Sequence, residues 1–583
     1  MVTLANRAMA QAEIIIPAKA SAAQEFAANE LSGYLYSISG AEFHVYRDDY
    51  IFGSCPERFE ICLGPVNRPG IPSAVGLKND GYILRTEGNR LFIFGENDRG
   101  LLYGVYGFLE DVLGCRFFAK GVERIPRRTV LSFGSLDVTR VSPFEYRETS
   151  WNAMDMADIA YKRGLNGPRH GLDSVRGGGI AYDGFVHTFQ NDYITVEEYF
   201  ETHPEYFSMV GGKRVGGSHQ TQLCLTNPDV FKIVLEKLRK KLESSSGTKI
   251  YSISQNDCYN PCECPECARV DAEEGSPAGT LLRFVNACAN AIAEDYPDAI
   301  IDTLAYQYTR QAPKITKPAP NVVIRISSIE CCFSHPLAEC NEITHFKIFT
   351  KDGATFQDDM RDWAKICSRM HVWDYTTNFW HYLNPMPNFH VLQPNIRFFI
   401  ENGVTGIFEQ GNGESPSGEF GELRAYLITK LFWDPDLDVG RAMDEFLCGY
   451  YGQAAAPIRA YIDMLREHVA KDGVHAGIYC HPDHGHIPEA LLIKAEALFD
   501  EAEKLADDEA VLARVQKSRL QIRYVRIYSM DPKSMEYGPM VEEFIADLRR
   551  FSFTRIKEGE PMEDSVAKLR KGYVYPEVES VFI

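Results

Sequence analysis

The sequence predicts an α/β protein with a small α+β N-terminal domain, a central (β/α)8 TIM barrel and a helical C-terminal region. Three observations carry this. Strand-like and helix-like apolar patterns alternate from about residue 144 to 434, as parallel strands joined by crossover helices require. Ahead of them a helix is embedded among short strands and a hairpin. Beyond Asp434 only helical periodicity is left, with long runs at Ala490–Leu505 and Ala510–Met530. The implied units are 12–140, 144–434 and 435–583, consistent with a chain of 583 residues, which is too long for one core.

In the first unit, Ile14–Pro17 and Phe59–Leu63 read as strands, and Ala22–Ser37 reads as an amphipathic helix with Phe26, Leu31 and Leu35 inward. Gly81–Arg85 and Arg90–Phe94 form a hairpin turned by Glu87-Gly88-Asn89, and a helix runs from Leu101 to Leu113. In the second unit the strand candidates are Tyr146–Ser150, a segment near Leu165, Gly184–Phe189, Ile250–Ser254, Ile300–Tyr306, Val322–Ser327, His371–Tyr375 and Val404–Phe408. Helical patterns at Pro228–Glu243, Gly279–Asp295, Thr355–Arg369 and Asn388–Asn402 separate most of them.

A formal charge of -20 opposes phosphate backbones and anionic lipid, so nucleic acid is not an expected partner. No apolar run reaches the roughly 18 residues of a membrane span, and Met1–Arg7 lacks the basic and apolar regions of a signal peptide. The 15 cysteines are odd in number and scattered, which suits a reducing compartment and a cytoplasmic protein. No membrane partner is expected, and a homo-oligomer is left open.

In a barrel the chemistry sits where strands end. The residues there include Asn256 and Asp257, Tyr306, Glu330, Trp373, Asp374 and Tyr375, and Glu409. Four carboxylates with several aromatics on one rim suit glycoside hydrolysis. A carboxyl group protonates the leaving oxygen, and an aromatic ring stacks on the sugar. His187 lies near the end of another strand and reads equally as a substrate ligand or a satisfied core histidine. Trp373 reads as a sugar platform or as core. The spacing of Cys258, Cys262, Cys264 and Cys267 is compatible with a structural zinc site or a set of buried thiols. The glycine-rich segments Gly95–Gly100 and Gly177–Gly179 lack the lysine and spacing of phosphate loops.

Several motifs resemble known families. Gly95-Glu96-Asn97-Asp98-Arg99-Gly100-Leu101-Leu102-Tyr103-Gly104-Val105-Tyr106, with Gly114-Cys115-Arg116-Phe117 after it, is similar to the small α/β domain ahead of the barrel in hexosaminidases and α-glucuronidases. His203-Pro204-Glu205-Tyr206-Phe207, Leu223-Cys224-Leu225-Thr226-Asn227-Pro228 and Ser254-Gln255-Asn256-Asp257, with the cysteines that follow, resemble glycoside hydrolase family 163. The resemblance implies a retaining β-N-acetylhexosaminidase that works on a glycan or glycoside without a cofactor. In it the substrate's 2-acetamido oxygen attacks the anomeric carbon. Asn256 would then orient the acetamido group, Asp257 would protonate the glycosidic oxygen, and Tyr375 would bind the acetamido oxygen. Glu409 would hold sugar hydroxyls or be a second catalytic carboxylate. Whether the sugar is N-acetylglucosamine or N-acetylgalactosamine stays open. The alternatives are an α-glucuronidase-like hydrolase, with Arg147, Arg325 or Arg424 holding the uronate, and an inactive carbohydrate-binding barrel.

Overall fold

A computed structural model describes residues 1–49, 58–155, 157–217, 220–245, 247–343, 354–482 and 487–572. The N-terminal part is a six-stranded sheet in the order 137–140, 82–87, 90–95, 59–63, 12–16, 45–47. The helix Ala22–Ser39 packs on it and buries Leu31, Leu35 and Ile38. Ser21 starts this helix with a capping box to Gln24, and Gly40 ends it in the left-handed region. A smaller sheet pairs Val2–Asn6 with Val130–Phe133 and Met9–Ala10.

The central sheet has seven parallel strands: β1 (Tyr146–Thr149), β2 (Ala181–Asp183), β3 (Thr248–Ser252), β4 (Ile300–Ala305), β5 (Val322–Ser327), β6 (Met370–Tyr375) and β7 (Val404–Gln410). Their order is β1-β7-β6-β5-β4-β3-β2, a curled, barrel-like sheet that does not close. The eighth strand expected near Leu165 does not form, which corrects the count of eight. Its place between β1 and β2 is spanned by one residue, Asn166. The Asn166 N–H donates to the Arg147 carbonyl at 3.1 Å, and its own carbonyl accepts from Ile180 N–H at 2.7 Å. Gly164 explains why no longer strand forms. Its φ of 69° is in the left-handed region, and a Cβ there would collide with the Trp433 indole. The strand expected at Gly184–Phe189 also sits earlier, since Gly184 takes a φ of 65° and ends β2.

The N-terminal part seals this seam. Asp80, from the turn before its hairpin, accepts from Arg147 at 2.6 Å, from the Asn166 amide at 2.9 Å and from Arg99 at 2.7 Å. Burial opposes ionisation of Asp80, but Arg147 and Arg99 beside it hold its carboxyl well below the usual carboxylate range. The buried Arg147 also donates to the carbonyls of Gly164, Phe144 and Asn79, so that with Asp80 four of its five N–H donors are used.

After β7 the chain forms helices from Val439 to Arg570. They return to the barrel through the loop that follows β6. Leu383 of that loop joins the core of Leu520, Tyr524 and Phe544. Tyr382 N–H donates to the Ile556 carbonyl at 3.0 Å, and Glu558 N–H donates to the Phe379 carbonyl at 2.8 Å. Among the described residues, no helix is long and apolar enough to cross a membrane.

Removing one partner of a buried ion pair leaves the other charge uncompensated. Asp80→Ala is therefore expected to cost about 3–5 kcal/mol in urea unfolding. Asp137→Ala, which breaks the exposed pair with Arg85, is expected to cost less than about 1 kcal/mol. Equal effects of the two would refute the role given to the seam.

Candidate active site

Successive side chains of a strand face opposite sides. On β6 the inward set is His371, Trp373 and Tyr375. His371 stacks on Tyr146 of β1 with ring centroids 5.6 Å apart, and Trp373 meets Phe408 of β7 edge-on at 4.8 Å. Arg325 of β5 lies beneath Trp373. It pairs with Asp302 of β4 at 2.9 Å and is sandwiched between Phe185 at 4.4 Å and Trp373 at 5.1 Å.

Above this layer opens a cleft of about 220 Å³. Its floor is Leu304, Ser327, Trp373, Tyr375 and Gln410 from the strand ends. The Trp373 indole donates to Gln410 Oε1 at 2.7 Å, and the hydroxyls of Tyr375 and Ser327 are 3.3 Å apart. One wall carries His187, Asp257, Tyr306 and Ile329, and the other carries Phe379, Ile478, Tyr479 and Glu558. Tyr306 donates to Asp257 Oδ1 at 2.8 Å, and Gln307 donates to the Tyr306 hydroxyl at 3.0 Å. His187 and Gln307 have φ of 55° and 53°, unusual for residues with side chains and often found at functional sites. His187 is fixed by a 2.8 Å contact between Nδ1 and the Gln255 carbonyl.

Glu558 lines the cleft together with Asp257. The residue is partly solvent-exposed, and its carboxyl lines the cleft. There burial, Glu414 and Asp257 push it up to about 7. It can hold a proton near neutrality and release it there, as a catalytic acid must.

Of the residues expected at the site, the structure places Asp257, Tyr306, Tyr375, Trp373 and His187 at the cleft. Asn256, Glu330, Asp374 and Glu409 are elsewhere, each for a definite reason. The Asn256 amide donates to the Thr221 carbonyl at 2.8 Å and accepts from Gln190 N–H at 2.8 Å, so it holds loop backbone. Glu330 pairs with Arg310, which also pairs with Asp359. Asp374 lies between Trp373 and Tyr375 and therefore points away from the cleft. Glu409, its partner in register on β7, does the same. Burial, together with the Asp374 charge, pushes Glu409 well up. Burial pushes Asp374 up to about 7, against the 2.5 Å hydrogen bond that Ser328 donates to it. The two buried acids lie in register on adjacent strands and are absent from the cleft lining.

The three arginines considered for a uronate are also placed away from the cleft. Arg147 is in the seam, Arg325 is under Trp373, and Arg424 pairs with the buried Glu419. Glu558, Tyr479 and Gln410 were not singled out from sequence. Gln410 follows from alternation once Glu409 faces outward. Glu558 and Tyr479 come from the helical region and carry no local signal.

The four-cysteine cluster is corrected in one member. Cys262, Cys264 and Cys267 gather with Cys224, and their sulfurs lie within 4.8 Å of one another. Cys258 instead accepts from the Gln222 amide at 3.4 Å. Cys224 is 3.7 Å from Cys264 and 4.0 Å from Cys267, close to the edges of a zinc tetrahedron with bonds of about 2.3 Å. Met209 N–H and Arg214 donate to Cys262, as suits thiolate ligands. The cluster could hold a structural metal. Among the described residues no cysteine is in a disulfide.

Residues 117–463, more than half of the chain, match the family described as domain of unknown function (DUF4838). The chain belongs to that family. Residues 3–108 match the glycosyl hydrolase family 67 N-terminus. No curated protein matches the chain. Among solved structures, a GH115 4-O-methyl-α-glucuronidase, BtGH115A, with specificity for decorated arabinogalactans, is similar with a TM-score of 0.58 at 10% identity, over 94% of this chain and 77% of that one. A family 89 glycoside hydrolase from Clostridium perfringens in complex with PUGNAc is similar with a TM-score of 0.50 at 12% identity, over 91% and 66%. At these identities the likeness is one of fold, a fold shared with glycoside hydrolases.

A carboxyl group whose folded pKa is raised favours the protonated state. Its contribution to stability is complete below the unfolded value of about 3.9 and is lost as pH rises through the folded value. For Asp374 that loss runs from the acid range through about 7. Asp374→Asn is expected to change Tm little at pH 4.5 and to raise it relative to wild type at pH 8.5. A wild-type-to-variant difference that does not vary with pH would contradict the buried neutral carboxyl.

Proposed function

We propose that the chain is a glycoside hydrolase that cleaves a glycan at this cleft, and that it is a retaining β-N-acetylhexosaminidase. One observation carries the reading. Two carboxyl groups, Asp257 and Glu558, line one cleft whose floor is aromatic at the strand ends, and Glu558 is pushed up to about 7. A sugar ring stacks on Trp373 or Tyr375. Glu558 gives its proton to the glycosidic oxygen. Asp257, oriented by Tyr306, accepts from the acetamido N–H while the acetamido oxygen attacks the anomeric carbon. Water then opens the resulting oxazoline, and Glu558 takes a proton back. Asn256 has no part in this, and Asp257 takes the orienting role.

The motif resemblance to family 163 supports the hexosaminidase reading. The family 89 structure that holds its substrate GlcNAc-α-1,4-galactose supports an N-acetylated sugar but not the β linkage. The GH115 likeness and the family 67 N-terminus favour a second reading, an α-glucuronidase. A uronate calls for a cation, and the described lining of the cleft has two carboxylates and neither lysine nor arginine. That contrast favours a neutral sugar.

A panel of nitrophenyl glycosides decides between them, with turnover expected on β-GlcNAc or β-GalNAc and none on α-glucuronide. With an unactivated leaving group, Glu558→Gln is expected to lower kcat by at least about 100-fold. It should matter less with nitrophenol, which departs without a proton. Asp257→Asn is expected to impair both substrates. In wild type, activity falls as pH rises through about 7, because the acid must carry its proton, and Glu558→Gln abolishes that limb. An unchanged limb, or full activity in Glu558→Gln, would remove Glu558 from the reaction.

A further inference from the structure

A second cluster of metal-ligand side chains lies outside the cleft and outside the four-cysteine group. Cys332 and His335 stand on the turn that follows β5, Cys340 follows five residues later, and His475 comes from the turn after the helix Ala455–Asp472. One ligand atom from each lies within 4.8 Å of all the others. Cys332 Sγ is 3.3 Å from His335 Nδ1 and 3.3 Å from His475 Nδ1, and Cys340 Sγ is 3.6 Å from His475 Nδ1. Zinc bonds of about 2.3 Å to sulfur and 2.0–2.1 Å to nitrogen give tetrahedral sulfur–nitrogen edges of about 3.5 Å.

We infer that Cys332, His335, Cys340 and His475 bind a structural zinc ion that fixes one wall of the cleft. Two thiolates and two imidazoles from separated segments fill four positions and leave none for a substrate or water, which marks a structural site rather than a catalytic one. The two segments are already held in register. Phe333 N–H donates to the Ala476 carbonyl at 2.8 Å, and Ser334 Oγ donates to the Val474 carbonyl at 2.7 Å. The ligands are therefore preorganised by backbone, with Cys332 itself buried.

The position gives the ion its purpose. Three residues beyond His475, the Ile478 carbonyl accepts from Phe379 N–H at 2.7 Å, and the Phe379 carbonyl accepts from Glu558 N–H at 2.8 Å. Ile478, Tyr479, Phe379 and Glu558 all line the cleft. The zinc ties this wall to the loop after β5, which carries Ile329 on the opposite side. Metal binding contributes to folding directly where no other core supports the segment.

The test is metal content of the full chain purified without chelator. His475→Ala and Cys340→Ser are each expected to lose one equivalent of zinc relative to wild type. Cys264→Ser, in the four-cysteine cluster, should keep that equivalent. Zinc-edge X-ray absorption on the wild-type protein gives a second reading that needs no variant. A nitrogen shell at about 2.0–2.1 Å beside sulfur at about 2.3 Å is expected. Zinc-free protein, a shell of sulfur alone, unchanged zinc in both variants, or a Cys332–Cys340 disulfide in the intact mass would each overturn the assignment. The metal readout does not depend on turnover, so it stands or falls apart from the proposed glycosidase activity.

Discussion

The buried contact between Asp80 and Arg147 is what allows the central sheet to exist in its present form. A parallel sheet curled this far leaves two strand edges facing each other, and unpaired backbone there is costly. Here the gap is spanned by the single residue Asn166, whose backbone bridges β1 to β2. One residue cannot hold such a position by backbone alone. Asp80 grips its side chain and the Arg147 guanidinium together, and Arg147 in turn caps three carbonyls around the seam. The N-terminal part is thus a structural closure for the barrel. Its residues are absent from the cleft lining.

With the seam held, strand alternation decides what reaches the site. This much could be read from sequence in part. The strands β3 to β7 are visible as apolar runs, and their ends identify Asp257, Tyr306, Trp373 and Tyr375. Not every polar residue near a strand end faces the cleft. A period of two sends Trp373 and Tyr375 to the cleft and Asp374 behind it, and the same rule sends Gln410 inward and Glu409 outward. Short strands such as β2, with three residues, have too little periodicity to be located. The segment near Leu165 has the composition of a strand, but Gly164 and Trp433 forbid its extension.

What sequence could not show is the far wall. Glu558 sits between two C-terminal helices and is brought to Asp257 by one backbone hydrogen bond to Phe379. Tyr479 arrives from another segment, after the helix Ala455–Asp472, where the Ile478 carbonyl accepts from Phe379 N–H. Cys224 joins three cysteines some 40 residues away in the chain, and His475 joins ligands more than 130 residues earlier. These are products of tertiary packing between distant segments. They share one theme: the walls of the cleft are built from loops with little regular structure of their own, cross-tied by side chains.

In the proposed reaction Asp257 and Glu558 act on one sugar bound over the aromatic floor. A crystal structure with an N-acetylglucosamine thiazoline, which mimics the oxazoline intermediate, tests it most directly. The pyranose ring is expected against Trp373 or Tyr375, the thiazoline nitrogen within hydrogen-bond distance of Asp257, and the Glu558 carboxyl on the leaving-group side of the anomeric carbon. A thiazoline bound beyond the reach of both carboxyl groups, or no binding in the cleft at all, would contradict it.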